Sequence, residues 1–309
     1  MSIIFKKVYA LAGPTASGKT SLSIELAKRM NAEIISVDST LVYKKLDIGS
    51  AKPTFLEMGG VVHHLIDIIE AWFHYSVNDF LNDAKQLIQE IHARNKEVLF
   101  VGGAMMYFKV LQEGISKLPE ADDSVRETLK SQNLLYWYEF LVHKDPTTAQ
   151  KLNPNDQQRI ERAVEIILLT DQPYSSIIAQ NAKEGGLGDA LKLCALVSSD
   201  RKHLHKMIEI RFMKMLNSGF VKEVKALKKL AYMHANLPSM RSVGYRQAWR
   251  YLDDECDYSE FIAKGIAATR QLAKRQLTWI HNWHQPIFTI DINQDFNEKL
   301  TQTLRFFRY

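Results

Sequence analysis

The sequence predicts an α/β fold, a parallel sheet flanked by helices with an all-helical subdomain inserted into it. Three observations predict it. An apolar run, Val8–Ala12, ends in a glycine-rich loop that opens a helix. Short apolar runs then alternate with segments of helical spacing up to about residue 117, the pattern of a parallel sheet. From Asp122 to about Thr170 the strand signal is absent, and it returns at Leu191–Val197.

Each element has its own warrant. After Val8–Ala12 comes Gly13-Pro14-Thr15-Ala16-Ser17-Gly18-Lys19-Thr20, and then Leu22, Ile24, Leu26 and Ala27 at helical spacing. This is strand, loop, helix, the context in which G-x-x-x-x-G-K-[ST] is a phosphate-binding loop, so the core is P-loop NTPase-like. Amide hydrogens at the helix start and the helix dipole favour an anion. Lys19 adds a point charge for the terminal phosphates, and the Thr20 hydroxyl suits Mg²⁺. The motif implies a diphosphate or triphosphate without implying a nucleotide.

Ile34–Val37 is a second strand and ends at Asp38. Ligands of open parallel sheets sit beyond the carboxyl ends of the strands. Asp38, the phosphate loop and Gly102-Gly103 are therefore expected to converge on one crevice. A carboxylate there serves as general base, magnesium ligand or ribose contact. The alternative is a helix N-cap at Asp38-Ser39. His64–Ile69 reads as a third strand. Ser76 and Asp79 form a capping pair that opens a helix through Ala93. Val98–Val101 is a fourth strand, and Met105–Leu111 restarts a helix with Tyr107 and Phe108 as core residues. The pattern changes near Pro119, and Gly185, Gly186 and Gly188 mark a loop. The expected domains are thus 1–117 with 189–309, and a helical insertion over 118–188. Residues 200–284 are helical, Ile287–Ile290 is the last strand, and a short helix closes the chain.

At 309 residues the chain is long enough for such a core with an insertion. Its net charge of +5 is unevenly spread. Residues 200–282 hold 16 Lys and Arg against 8 Asp and Glu, whereas 118–199 hold 8 against 12. The late segment suggests a polyanion-facing surface, against the alternative of a merely solvated helical face. Arg241-Ser242-Val243-Gly244-Tyr245-Arg246 sets two arginines and a tyrosine around a glycine. Lys274-Arg275-Gln276-Leu277-Thr278-Trp279-Ile280-His281 sets basic groups and an indole on one helix, one turn after Arg270. Such groups suit phosphates and unpaired bases. Leu277, Trp279 and Trp283 are expected to face the core. No apolar run has membrane-spanning length, and Met1–Lys7 lacks the apolar stretch of a signal peptide. Cys194 and Cys256 show no metal-ligand spacing, so a reducing, cytoplasmic setting is expected.

Taken together, seven strings closely resemble the tRNA dimethylallyltransferases, also called tRNA isopentenyltransferases. They are GPTASGKT (13–20), ISVDS (35–39) with Tyr43-Lys44, DIGSAKP (47–53), VGG (101–103) with Tyr107-Phe108, NPNDQQR (153–159), SVGYRQ (242–247) and ATRQLAKRQLTW (268–279). They occur in family order over nearly the whole chain. The form resembled is the bacterial one, without a C-terminal zinc finger.

The resemblance implies transfer of a dimethylallyl group from dimethylallyl diphosphate to N6 of adenosine 37 in the tRNA anticodon loop, with release of diphosphate. It implies that Gly13–Thr20 and Mg²⁺ hold the leaving group, that Asp38 is the general base, and that Arg211 binds the diphosphate. The implied tRNA contacts are Asp38, Ser39, Thr40 and Leu41, then Ala104 and Arg126, then Gln158, Arg159, Ile160, Glu161 and Arg162 in the insertion, and finally Arg241–Arg246 and Lys274–His281. A monomer is implied as well. One departure concerns Ala104, where the family usually carries a threonine that touches tRNA; its hydroxyl contact is lost. The competing readings are a P-loop small-molecule kinase, an adenylate isopentenyltransferase acting on free nucleotides, and a non-catalytic RNA-binding protein. Intact Lys19, Thr20 and Asp38 argue against the last.

Overall fold

The computed structural model describes residues 6–308; the signal-peptide reading of Met1–Phe5 lies outside the described residues. In chain order the first elements are β1 (Val8–Ala12), α1 (Lys19–Met30), β2 (Ala32–Val37), α2 (Phe55–Met58), β3 (His63–His64), α3 (Val77–Ala93), β4 (Glu97–Gly102) and α4 (Met105–Glu113). Next come β5 (Ile115–Ser116), α5 (Asp123–Lys130), α6 (Leu134–Lys144), α7 (Pro146–Ala149), α8 (Gln157–Thr170), α9 (Tyr174–Gln180) and β6 (Lys183–Glu184). The chain ends with β7 (Leu191–Val197), α10 (Arg201–Asn217), α11 (Phe220–Lys228), α12 (Tyr245–Leu252), α13 (Tyr258–His281), β8 (Phe288–Asp291) and α14 (Phe296–Phe307).

Two compact units result, 1–112 with 187–309, and 113–186. The expected boundaries of 118 and 188 therefore move outward at one end and inward at the other. The reason is a short antiparallel ribbon, Ile115–Ser116 against Lys183–Glu184, which belongs to the smaller unit. Two-residue strands carry no alternation that a sequence reading detects.

In the larger unit six parallel strands lie in the order β3-β2-β4-β1-β7-β8. β1 is central, and all five of its residues are buried, as a strand covered on both faces requires. Leu22, Leu26 and Met30 of α1 pack with Leu11, Ile34, Leu99, Leu196 and Phe307 in one core cluster. α3 begins at a capping box in which Ser76 and Asp79 satisfy each other's backbone amides, as the sequence predicts. Tyr107 and Phe108 are buried.

The third strand is shorter than expected, His63–His64 rather than His64–Ile69. Leu65 and Asp67 adopt left-handed backbone angles (φ 59° and 56°), which end an extended run. The amides of Asp67, Ile68 and Ile69 instead donate to the carbonyls of Leu41 and Val42, so this segment becomes a brace for the loop after β2.

The smaller unit has its own core of Leu129, Trp137, Leu141, Ile160, Val164 and Ile167. Buried Asp145 accepts from the amides and hydroxyls of both Thr148 and Ser175, which ties α7 to α9. Among the described residues no helix is long and apolar enough to cross a membrane.

Candidate active site

The carboxyl ends of β1, β2 and β4 open on a cleft of about 230 Å³ lined by Lys19, Thr20, Asp38, Gly103, Ala104 and Arg211, among others. The convergence expected of Asp38, the phosphate loop and Gly102-Gly103 is thus present. Arg211 joins them from α10, more than 170 residues along the chain from Asp38.

α1 starts at Gly18 without a side-chain cap, so its first amides are left for an anion. Lys19 Nζ donates to Pro14 O at 2.7 Å and to Ser17 Oγ at 3.4 Å. Both acceptors are neutral. Burial, with the like charge of Arg211 added, lowers the Lys19 ammonium to about 7, although Asp38 pulls the other way. Burial also lowers the Arg211 guanidinium below its ordinary value, again opposed by Asp38. Two cations are held here with too little negative charge to match them, which is the electrostatics of a site built for an anion.

Asp38 is not a helix cap, because no helix follows it. Its Oδ1 accepts from Thr40 N at 2.8 Å, the closing bond of an Asx turn. The turn is fixed from behind, since Val37 O accepts both Gly103 N (3.1 Å) and Ala104 N (3.0 Å). A Cβ on Gly102 would stand 1.9 Å from that carbonyl, so only glycine admits this approach of β4 to β2. Thr40 Oγ1 donates to Ser242 Oγ at 3.3 Å. That bond joins the Asp38 turn to the Arg241–Arg246 segment, and Val243 and Gly244 line the same cleft.

For Mg²⁺ the fitting donors are hard oxygens, the Thr20 hydroxyl and the Asp38 carboxylate, both opening into the cleft. A cation held by one or two protein oxygens together with substrate phosphates suits that set.

The residues expected to touch tRNA divide by burial. Ser39, Gln158, Arg159, Arg241, Arg246, Lys274, Arg275, Thr278 and His281 are exposed. Ile160, Tyr245 and Ile280 are buried in the cores of their units, so their side chains offer no surface to RNA. Tyr245 instead donates to Glu223 Oε1 at 2.6 Å. Arg126 and Arg162 both reach buried Glu165, and Arg162 Nη2 also donates to Pro119 O at 2.6 Å. Glu161 accepts from the Gln157 amide. Trp279 and Trp283, expected in the core, are only half-buried. Lys109 Nζ lies 5.7 Å from the Trp279 ring centroid, and Trp283 Nε1 donates to Gln112.

Gln276 is a further correction. It is 9% exposed, and both ends of its amide are engaged. Oε1 accepts from Thr15 N at 2.9 Å and Nε2 donates to Gly103 O at 2.9 Å. It braces the phosphate loop against the β4 loop. Nothing in the string KRQLTW separates this inward glutamine from its outward neighbours; only the helical phase against a known core does. Glu223 was likewise invisible, since it lies in an ordinary amphipathic helix with no motif.

Residues 41–283 match the IPP transferase family model. The chain belongs to the tRNA dimethylallyltransferase family. It is 54% identical over 98% of its length to the tRNA dimethylallyltransferase of Francisella tularensis subsp. novicida (strain U112), covering 99% of that protein. Among solved structures it resembles the full-length tRNA isopentenylpyrophosphate transferase of Bacillus halodurans, with a TM-score of 0.72, 34% identity, and coverage of 98% of this chain and 96% of that one. It also resembles a eukaryotic dimethylallyltransferase captured acting on tRNA, with a TM-score of 0.79 and 27% identity over 93% of this chain and 74% of that one. Family membership makes the chain a transferase that modifies tRNA, and it sets aside the small-molecule kinase and the non-catalytic RNA-binding protein.

Proposed function

We propose that the chain transfers a dimethylallyl group from dimethylallyl diphosphate to N6 of the adenosine just 3′ of the anticodon. The observation that carries this reading is the cleft itself, where two desolvated cations, Lys19 and Arg211, stand beside one carboxylate, Asp38. A diphosphate entering the cleft meets the helix amides, Lys19 and Arg211, which stabilise negative charge where it grows on the leaving group. The allylic C–O bond breaks and its electron pair departs on the diphosphate. The N6–C bond forms, and the proton of N6 passes to Asp38. Neutral adenine N6 is a weak nucleophile, so proton removal and in-line placement each matter. Mg²⁺, when bound at Thr20, neutralises part of the diphosphate charge.

The target base leaves the loop stack to reach the cleft, at a cost of a few kcal/mol for an unpaired base. Arg241, Arg246, Lys274 and Arg275 supply phosphate contacts on the larger unit. Arg126 and Arg159 supply them on the helical insertion, which takes the anticodon stem-loop. The two free cysteines accord with a reducing cytoplasm. Mass spectrometry of nucleosides from tRNA incubated with the protein and dimethylallyl diphosphate tests the assignment. An isopentenyl mass gain on anticodon-loop adenosine supports it. Transfer to free AMP with none to tRNA overturns it in favour of an adenylate isopentenyltransferase.

A further inference from the structure

The string DIGSAKP, residues 47–53, has no role in the chemistry above, yet the fold holds it with unusual care. Glu223, in the first turn of α11, points its carboxylate into this loop. Oε2 accepts from Asp47 N at 3.0 Å and from Ile48 N at 2.6 Å, and Oε1 accepts from Gly49 N at 3.1 Å. Three successive backbone amides pointing at one carboxylate form an anion nest, and here the anion is supplied by the protein. Tyr245 adds a fourth donor to the same carboxylate at 2.6 Å. The loop is packed as tightly as it is bonded, for a Cβ on Gly49 would stand 2.1 Å from the Phe220 ring and 2.6 Å from the Tyr245 ring. On the other side of the turn the Ser50 carbonyl accepts from Arg211 Nη2 at 3.2 Å. Gly49, Ser50 and Arg211 all line the cleft.

These bonds make a continuous chain from Glu223 through the 47–50 backbone to the Arg211 guanidinium. Arg211 forms no ion pair among the described residues, so the Ser50 carbonyl is the directional contact that aims it. We infer that Glu223, braced by Tyr245, is a positioning residue for the diphosphate site, holding the Asp47–Ser50 turn so that its carbonyl orients Arg211 toward the leaving group. This rests on the proposed role of Arg211 at the diphosphate. It also accounts for the SVGYRQ tyrosine, whose ring packs on the 47–50 turn and whose hydroxyl reaches Glu223, while the next residue, Arg246, faces solvent.

The test is a double-mutant cycle on the full chain, read by calorimetric binding of inorganic pyrophosphate with Mg²⁺ and by steady-state transfer. Glu223→Gln substitutes an amide, whose NH₂ opposes the backbone donors. It is expected to weaken pyrophosphate binding about tenfold and to lower kcat, with tRNA affinity unchanged. Arg211→Gln is expected to weaken pyrophosphate at least as much. In the Arg211→Gln background, Glu223→Gln should add less than about twofold, because the two act through one group. Additive losses, or unchanged pyrophosphate affinity in folded Glu223→Gln, overturn the inference while leaving the diphosphate reading intact. Unchanged affinity in Arg211→Gln overturns the role of Arg211 and the inference with it. If Glu223→Gln does not fold, Tyr245→Phe removes a single donor and is expected to weaken pyrophosphate two- to fivefold, again only while Arg211 is present. The same loss in both backgrounds overturns the inference.

Discussion

Strand β2 carries a carboxylate near its start and is followed directly by another, and the two have opposite fates. Glu33, near its start, is 3% exposed and surrounded by partners. Arg94 Nη2 and His64 Nε2 each lie 2.7 Å from it, and Lys96 lies at 3.3 Å. Burial alone would raise this carboxyl, but hydrogen bonds from Arg94, His64 and Lys96 outweigh it and bring the pKa to about 2. Asp38, just past the other end, accepts one backbone bond and forms no ion pair among the described residues. The two cations on which its charge acts, Lys19 and Arg211, are lowered by burial rather than satisfied. A saturated buried charge contributes to the fold and offers nothing to a ligand. A cluster of incompletely matched charges is costly in the free protein and is relieved when an anion arrives. One strand therefore joins a structural end to the end at which we place the chemistry.

The largest expected effect falls on the reactive end. Asp38→Asn keeps the Asx turn but removes the proposed base, so kcat is expected to fall roughly 10²- to 10⁴-fold while tRNA affinity and the melting temperature hold. Near-normal turnover would break the contrast at its centre.

The structural end should show the reverse. Glu33→Gln is expected to cost up to about 3.5 kcal/mol of stability, from a carboxyl shifted from 4.5 to about 2 at about 1.4 kcal/mol per unit, with kcat unchanged. Because the folded pKa is depressed, this contribution is present above about 4.5 and is lost as pH falls from there towards 2. The stability gap between the two proteins in denaturant melts should thus be markedly smaller at pH 3 than at pH 7; a constant gap would sink the assignment.

Lys19 gives a smaller, pH-dependent effect. An anion favours the ammonium, so binding raises a pKa that stands at about 7 in the free site. Pyrophosphate affinity should then be greatest below pH 7 and weaken by up to tenfold per unit above it. Lys19→Arg, whose charge does not titrate there, serves as the reference that cancels the ionisation of pyrophosphate itself. Parallel pH profiles for the two proteins would refute the shift. The smallest effect belongs to the exposed cations. Lys274→Ala or Arg246→Ala should weaken anticodon stem-loop binding severalfold and reduce its salt slope by about one, and an unchanged slope would remove that residue from the interface.

Much of the reactive end is legible in the chain because it is local. The phosphate loop is eight consecutive residues, and Asp38 follows directly on its strand. The capping box of α3 and the strand Leu191–Val197 are equally local, and both stand where the residues predict them. Misreadings occur where local appearance and tertiary environment diverge. His64–Ile69 has strand-like composition but bends at Leu65 and Asp67. Tyr245, Ile160 and Ile280 lie in basic or motif-bearing segments but point inward.

By itself the sequence determined the α/β class, the glycine-rich loop between β1 and α1 and the identity of the carboxylate beside it, since each depends on residues within a few positions of one another. Only the tertiary structure decided that Gln276 would brace Thr15 against Gly103, that Glu223 would fill the amides of Asp47–Gly49, and that Arg211 would face Asp38. Those partners lie more than 150 residues apart in the chain. Their meeting depends on the order in which strands pair and the phase at which helices pack, and no short-range pattern encodes either.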